Sequence, residues 1–187
     1  LSLPGQFLLS LRYTWLEEIR STHGFDYIVT AHHLNDSVET ILYNLAKGSG
    51  IKGALGIPEM NGRVIRPLLF ATRKEIDAYY AQEDLAHRED ASNAESGYAR
   101  NWIRHQVVPN LQKLNPSFEQ TVRRNVVYWK QIYEWFEQEA GQLRAQIWQS
   151  DQMRHTLNLQ TIREHPALLT LLFHWLQGFG FGAEQIQ

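Results

Sequence analysis

No cysteine occurs anywhere in these 187 residues. That removes disulfides, thiolate metal clusters and a cysteine nucleophile, and it fits a chain that works in a reducing, cytoplasmic compartment. Long apolar runs are absent as well. None approaches the roughly 18 residues that a membrane span needs, and Leu1–Gly5 shows neither the basic flank nor the cleavage site of a signal peptide. Net charge is also scarce, at −2, so the chain as a whole is no basic nucleic-acid binder. What charge there is lies unevenly. Residues 63–74 hold Arg63, Arg66, Arg73 and Lys74 with no acid, and residues 97–124 hold five Lys or Arg against Glu119 alone. Positive patches on a near-neutral chain suit a large anion docked on one face, and equally suit a solvated helix face.

With 43% hydrophobic residues, the chain can bury a real core. Apolar spacing predicts a helix from Leu11 to about Thr22, with Leu11, Trp15, Leu16 and Ile19 on one face. A buried strand over Tyr27–Thr30 follows, then a second helix from about Asp36 to Lys47 that stops at Gly48. Arg63–Arg66 reads as a strand ended by Pro67. Thr72 and Glu75 form a capping box for a helix to about Glu83. Alternating helices and strands predict an α/β fold with a parallel, Rossmann-like sheet. After Leu85 the character changes. A polar loop covers 87–97, a helix runs from Tyr98 to Val108 and ends at Pro109, and a long amphipathic helix spans about 117–148. That helix should bury Phe118, Val122, Val126, Trp129, Tyr133, Phe136, Ala140 and Leu143, with Trp135 also in the core. A short strand at His155–Leu159 and a helix capped by Thr161 and Glu164 and stopped at Gly178 follow, and the end at 179–182 reads as the middle of a truncated domain. The resulting division is residues 1–112 and a mostly helical 113–187.

The densest chemistry is A-H-H-L-N-D-S-V-E-T at 31–40. It sits where a strand end meets a helix start, which is where open α/β sheets place ligands. His32 and His33 could touch phosphate or a metal, and Asp36 could hold Mg²⁺ through oxygen. Successive strand residues point to opposite sides, so one histidine at most should face a site. Asp36 and Glu39 also match a capping box that needs no ligand, and the two readings weigh equally. Gly48, Ser49 and Gly50 could present backbone amides to phosphate, or simply terminate the helix. Arg100, Asn101, Arg104 and His105 share a helical stretch suited to phosphate and base edges. The competing reading pairs Arg100 or Arg104 with Glu89, Asp90 or Glu95.

Taken together, these segments resemble the tRNA(Ile)-lysidine synthases of the PP-loop (N-type) ATP pyrophosphatase superfamily. The resemblance rests on the motif at 31–40, K-G-S-G-I-K-G at 47–53, G-I-P at 56–58 and I-R-P-L-L at 65–69. It continues through T-R-K-E-I at 72–76, R-E-D-A-S-N at 88–93 and R-N-W-I-R-H at 100–105. It implies ATP-dependent ligation of free lysine to C2 of the first anticodon cytidine of a CAU-bearing tRNA(Ile). ATP and Mg²⁺ are the implied cofactors, no membrane is implied, and a homodimer stays open. Asp36, His33 and Glu39 become the catalytic candidates, with Asp36 first as the group that binds or deprotonates lysine. His32 and Lys47–Gly50 would line the nucleotide side. Arg66, Arg73, Arg88, Asn93, Arg100, Asn101, Arg104 and His105 would meet the tRNA.

The sequence also departs from the family pattern. Asn35 stands where a first acid is usual, Lys47 where Arg is usual, and Ala99 where Thr is common. The family's Ser-Gly-Gly-x-Asp-Ser phosphate loop is absent. Residues 1–10 look like the entry to its first strand, so a segment is expected to be missing between Ser10 and Leu11. Two other readings compete: a tRNA-binding chain without catalysis, and a sulfur-inserting thiolase of the same superfamily. Zero cysteines count against the thiolase.

Overall fold

The computed structural model describes residues 5–85, 98–151 and 154–186. Helix α1 runs Gly5–Thr22 and passes unbroken through Ser10 and Leu11, where the Thr14 hydroxyl donates to the Ser10 carbonyl at 3.1 Å. Residues 5–10 are therefore helical where the entry to a strand was expected. Leu11 and Trp15, two members of the expected inner face, lie exposed.

Strand β1 (Ile28–Val29) pairs parallel with β3 (Val64–Ile65). The crossover between them carries α2 (Leu34–Lys47) and α3 (Gly50–Ala54). The sheet has a third strand that periodicity did not reveal, β2 (Met60–Asn61), antiparallel to β3. Its signal was the Asn61-Gly62 pair, since Gly62 takes φ +59° and lets two residues close the hairpin. Fold class is thus α/β as expected, with a small mixed sheet ordered β1-β3-β2.

Helix α2 begins at Leu34, two residues before the expected start. The Leu34 N–H donates to the Ala71 carbonyl at 2.8 Å, and the His33 N–H donates to Asp36 Oδ2 at 2.9 Å, so a tertiary and a side-chain partner together close this helix start. His33 is the N-cap residue and Asp36 the third helical residue, so the Asp36–Glu39 capping box does not form. Helix α4 (Arg73–Gln82) does start with the expected box. Thr72 Oγ1 accepts the Glu75 N–H, and Glu75 Oε2 accepts the Thr72 N–H at 2.7 Å.

Pro109 does not end a helix. Helix α5 (Tyr98–Trp102) opens into a π turn at Ile103–Val107, in which the Val108 N–H donates to the Ile103 carbonyl five residues back. Helix α6 (Val108–Leu114) then follows with Pro109 in its first turn. The π turn before it opens the backbone where the proline ring would otherwise crowd the i−4 carbonyl. Leu34, Val38, Ile41, Ile103, Val108 and Val122 close one core. At about 1.5–3 kcal/mol per buried aliphatic side chain, this cluster holds α2 against the 103–122 region.

The chain divides into units 1–130 and 131–187. The division falls inside α7 (Phe118–Ile147), later than the 112/113 junction read from composition. In the second unit Ala140, Ile147, Ile162, Leu171 and Trp175 form a separate core. A hairpin of β4 (Trp148–Ser150) and β5 (His155–Leu157) follows α7, and α8 spans Leu168–Leu176. Thr161 caps no helix, because Pro166 lies between it and the Ala167 N-cap. Trp135 is 63% exposed and is not core. The expected 87–97 loop lies outside the described residues.

Candidate functional site

Helix geometry places Asp36, Glu39, Tyr43 and Lys47 on one face of α2, because residues three and four apart are neighbours. Three of them meet arginines from the 98–107 segment. Arg104 donates from Nε to Glu39 Oε1 at 2.7 Å and from Nη2 to Glu39 Oε2 at 3.0 Å. Its Nη2 also reaches Asp36 Oδ1 at 3.3 Å. One turn away, the Arg100 guanidinium lies 5.9 Å from the Tyr43 ring centre, and Lys47 Nζ lies 4.5 Å from it. The partners run in opposite order along the two segments, 39 with 104 and 43 with 100.

Burial separates the two carboxylates. The Glu39 side chain is 6% exposed, while Asp36 keeps 22% and Arg104 38%. Glu39 spends both oxygens on the guanidinium fork and is shut away from solvent. Asp36 accepts the His33 N–H on Oδ2 at 2.9 Å, and only a long contact joins its Oδ1 to Arg104. Of the pair, Asp36 is the carboxylate that a solute can reach. Arg104 already fills the space between the acids, so as arranged they do not fit a resident Mg²⁺. Among the described residues no group of three or more His, Asp or Glu could hold a metal.

Both histidines are half-buried. His32 Nδ1 hydrogen-bonds Thr30 Oγ1 at 2.8 Å, and burial pushes its pKa down, more than nearby Asp36 pulls it up. Arg66 and Arg100 push it the same way, which places both guanidiniums within its field. Burial likewise lowers His33, against Asp36. Its Nδ1 lies 3.4 Å from Asp36 Oδ2 yet is buried without a hydrogen-bond partner. Glu39 holds Arg104 above the usual guanidinium range. Both imidazoles are therefore neutral when folded and take protons more readily when unfolded. Stability is complete above about pH 6.5 and is lost as pH falls below it, through the folded values. The melting temperature should drop as pH falls below about 6.5, and replacing both histidines with glutamine should flatten that drop. An equally steep fall in the double variant would assign it to other groups.

The remaining candidates separate. Arg66 is buried, with Nη1 donating to the Pro58 carbonyl at 2.8 Å and Nε unpartnered. Arg73 is exposed and pairs with Asp77 at 2.8 Å. Asn101 is half-buried and His105 exposed. The Gly48 N–H donates to the carbonyls of Asn44 and Leu45, and the Ser49 N–H to Asn44. Two of the three amides expected for phosphate thus terminate α2 instead. Arg88 and Asn93 lie outside the described residues. Glu89, Asp90 and Glu95, the other expected partners of Arg100 or Arg104, also lie outside the described residues.

Three participants escaped sequence reasoning. Asn35 donates to Glu119 Oε1 at 3.0 Å and accepts the Arg73 N–H at 2.8 Å. Gln112 donates to the same buried Glu119 oxygen at 2.6 Å. An aspartate at 35 would face Glu119 with a like charge, so the amide suits this chain. The third is Tyr43, whose i, i+4 spacing to Lys47 was the available signal. Close approach also shapes the region. At Gly56 (φ +72°) a Cβ would sit 2.3 Å from Ser37 Oγ, which accepts the Ile57 N–H at 3.1 Å. The G-I-P motif is thereby laid directly on α2.

Comparison with known proteins bears on what this arrangement is. The family of PP-loop domains matches residues 9–111, more than half of the chain and all of the α2–Arg104 cluster. The chain belongs to the PP-loop family. It is similar to a tRNA(Ile)-lysidine synthase of Porphyromonas gingivalis, 33% identical over 178 residues, which cover 95% of this chain and 38% of that protein. A tRNA(Ile)-lysidine synthase of Parabacteroides distasonis is 36% identical over 171 residues, or 91% and 38% of the two chains. One from Thermosipho africanus is 43% identical over 116 residues, or 62% and 27%. This PP-loop chain therefore spans about two-fifths of the length of the first two relatives. No helix among its described residues is long and apolar enough to cross a membrane.

Proposed function

We propose that this chain is part of an ATP-dependent tRNA(Ile)-lysidine synthetase acting in the cytoplasm. In this reading the C2 carbonyl oxygen of the target cytidine attacks the α-phosphorus of ATP and pyrophosphate leaves. The ε-amine of free lysine then attacks C2, AMP leaves with the former carbonyl oxygen, and the amine loses its protons. Adenylation turns a poor leaving oxygen into a good one. The protein's task is to hold base, nucleotide and amine in register and to offset developing charge. ATP would bring Mg²⁺ on its phosphates, since the two acids of α2 are already bridged by Arg104.

Asp36 supports the reading most directly. It is the one partly exposed carboxylate of a cluster that also contains Arg104, Arg100 and two neutral histidines. A carboxylate of this kind can bind a lysine ammonium and favour its delivery toward a base held by the arginines. Resemblance to proteins named for lysidine synthesis over nearly the whole chain supports it independently. A second reading, tRNA binding without catalysis, is favoured by the amides of Gly48 and Ser49, which are already committed to the end of α2.

ATP–pyrophosphate exchange with full-length protein and the minor isoleucine tRNA, followed by labelled-lysine incorporation, separates the two. Exchange that requires the tRNA, together with lysine retained on it, is the expected result. Tight tRNA binding with neither exchange nor incorporation would leave only the binding reading.

A further inference from the structure

We infer that Tyr43 gathers Lys47 and Arg100 into a two-cation clamp for a phosphodiester of the RNA substrate. The inference rests on the tRNA reading above and adds to it a site and a residue that the reading does not use. Both cations lie over one ring, at 4.5 Å and 5.9 Å from its centre. Both are exposed, and neither forms an ion pair or hydrogen bond among the described residues. This contrasts with Arg104, whose charge is spent on Glu39.

Two cations 4.5 Å and 5.9 Å from one ring centre, with no ion pair among the described residues, lie within about a Debye length of each other at 0.1 M salt and repel. The ring's quadrupole offsets part of that repulsion at roughly 0.5–1 kcal/mol per exposed contact. An anion set between them would remove the rest. Tyr43 is half-buried and packs against the α2 core, so the ring is not an open platform for a base. Its role is to position the two cations. The complementary ligand is therefore an anion without a stacking requirement.

A triphosphate is the competing source of that anion. Such groups are usually cradled by converging backbone amides, and here the nearby amides of Gly48 and Ser49 already cap α2. Two flexible, exposed side chains at a helix end suit a single phosphate on a nucleic-acid backbone better.

The test is tRNA affinity of the chain measured against salt concentration, with ATP affinity measured separately without RNA. Lys47→Ala and Arg100→Ala should each weaken tRNA binding several-fold and lower the salt slope by roughly 0.7–0.9. The double variant should lose less than the product of the two, because both cations hold one phosphate. Tyr43→Phe should behave as wild type, and Tyr43→Leu should lose affinity while its RNA-free melting temperature reports any core damage. ATP affinity decides between this clamp and the nucleotide side on which the family resemblance placed Lys47. An unaltered salt slope in the double variant would overturn the clamp, and so would ATP affinity falling in its place. A salt slope that responds as expected in a protein inactive for pyrophosphate exchange would keep the clamp and sink the ligase reading.

Discussion

Arg104→Ala should lower the melting temperature by roughly 5–15 °C, the equivalent of about 2–4 kcal/mol for a chain of this size. The cause is Glu39. Its carboxylate is nearly sealed from water, and both of its oxygens are satisfied by one guanidinium fork. Removing the fork leaves a buried charge without a partner, which typically costs about 3–5 kcal/mol. Arg104 itself keeps a solvent-facing edge, so water can enter the gap and reduce that figure. Lysine at 104 should restore only part of the loss, because it supplies a point charge where the site is built for two parallel bonds. Glu39→Gln placed on top of Arg104→Ala should recover stability, since it removes the stranded charge. The variant should also leave the salt slope of tRNA binding close to wild type, in contrast to Arg100→Ala. A melting temperature unchanged by Arg104→Ala would mean that the Glu39 pocket is wetter than its burial implies. A large loss of salt slope would return Arg104 to the RNA-facing residues.

The sequence carried the chemistry better than the geometry. Motifs at 31–40 and 100–105 were legible as one site because residue type and order match a known family, and their helices do bring Asp36, Glu39 and Arg104 together. The partner of Arg104 was not legible. Proximity in sequence pointed to Glu89, Asp90 or Glu95, whereas the actual acids lie 65 and 68 positions away. Only packing of Ile103 and Val108 against Val38 and Ile41 sets that register.

Boundaries failed where tertiary hydrogen bonds took over local tasks. Asp36 and Glu39 match a capping pattern, yet α2 starts earlier because the Ala71 carbonyl receives its first amide. Asn35 in turn serves the first amide of α4, so each helix start is completed by the other segment. Neither exchange leaves a trace in local spacing. Pro109 misled for a related reason. A π turn supplies the freedom that its ring needs, and nothing in a single sequence marks such a turn. In the second unit, Trp135 sits in an apolar stretch of α7 but faces solvent, because the core there is built from Ala140 and Ile147.

Asp36→Asn should abolish lysine transfer by a hundredfold or more while moving the melting temperature little. An amide oxygen can still accept the His33 N–H that Asp36 Oδ2 accepts at 2.9 Å, so the start of α2 survives. What disappears is the charge. The long 3.3 Å contact to Arg104 contributes little beside the Glu39 fork, which remains intact. A lysine ammonium then loses its counter-charge, and losses of 10²–10⁴-fold are usual when a group taking part in proton transfer is removed. Asp36→Ala should add a stability cost of about 1 kcal/mol for the lost cap. The comparison between the two variants therefore divides capping from catalysis. If Asn and Ala both unfold the chain, the carboxylate is a structural element of α2. If Asn folds and transfers lysine normally, Asp36 does not bind the amine, and the acid that does must lie elsewhere in the protein. Tight tRNA binding by a folded, transfer-dead Asp36→Asn protein is the outcome that keeps Asp36 at the reacting amine.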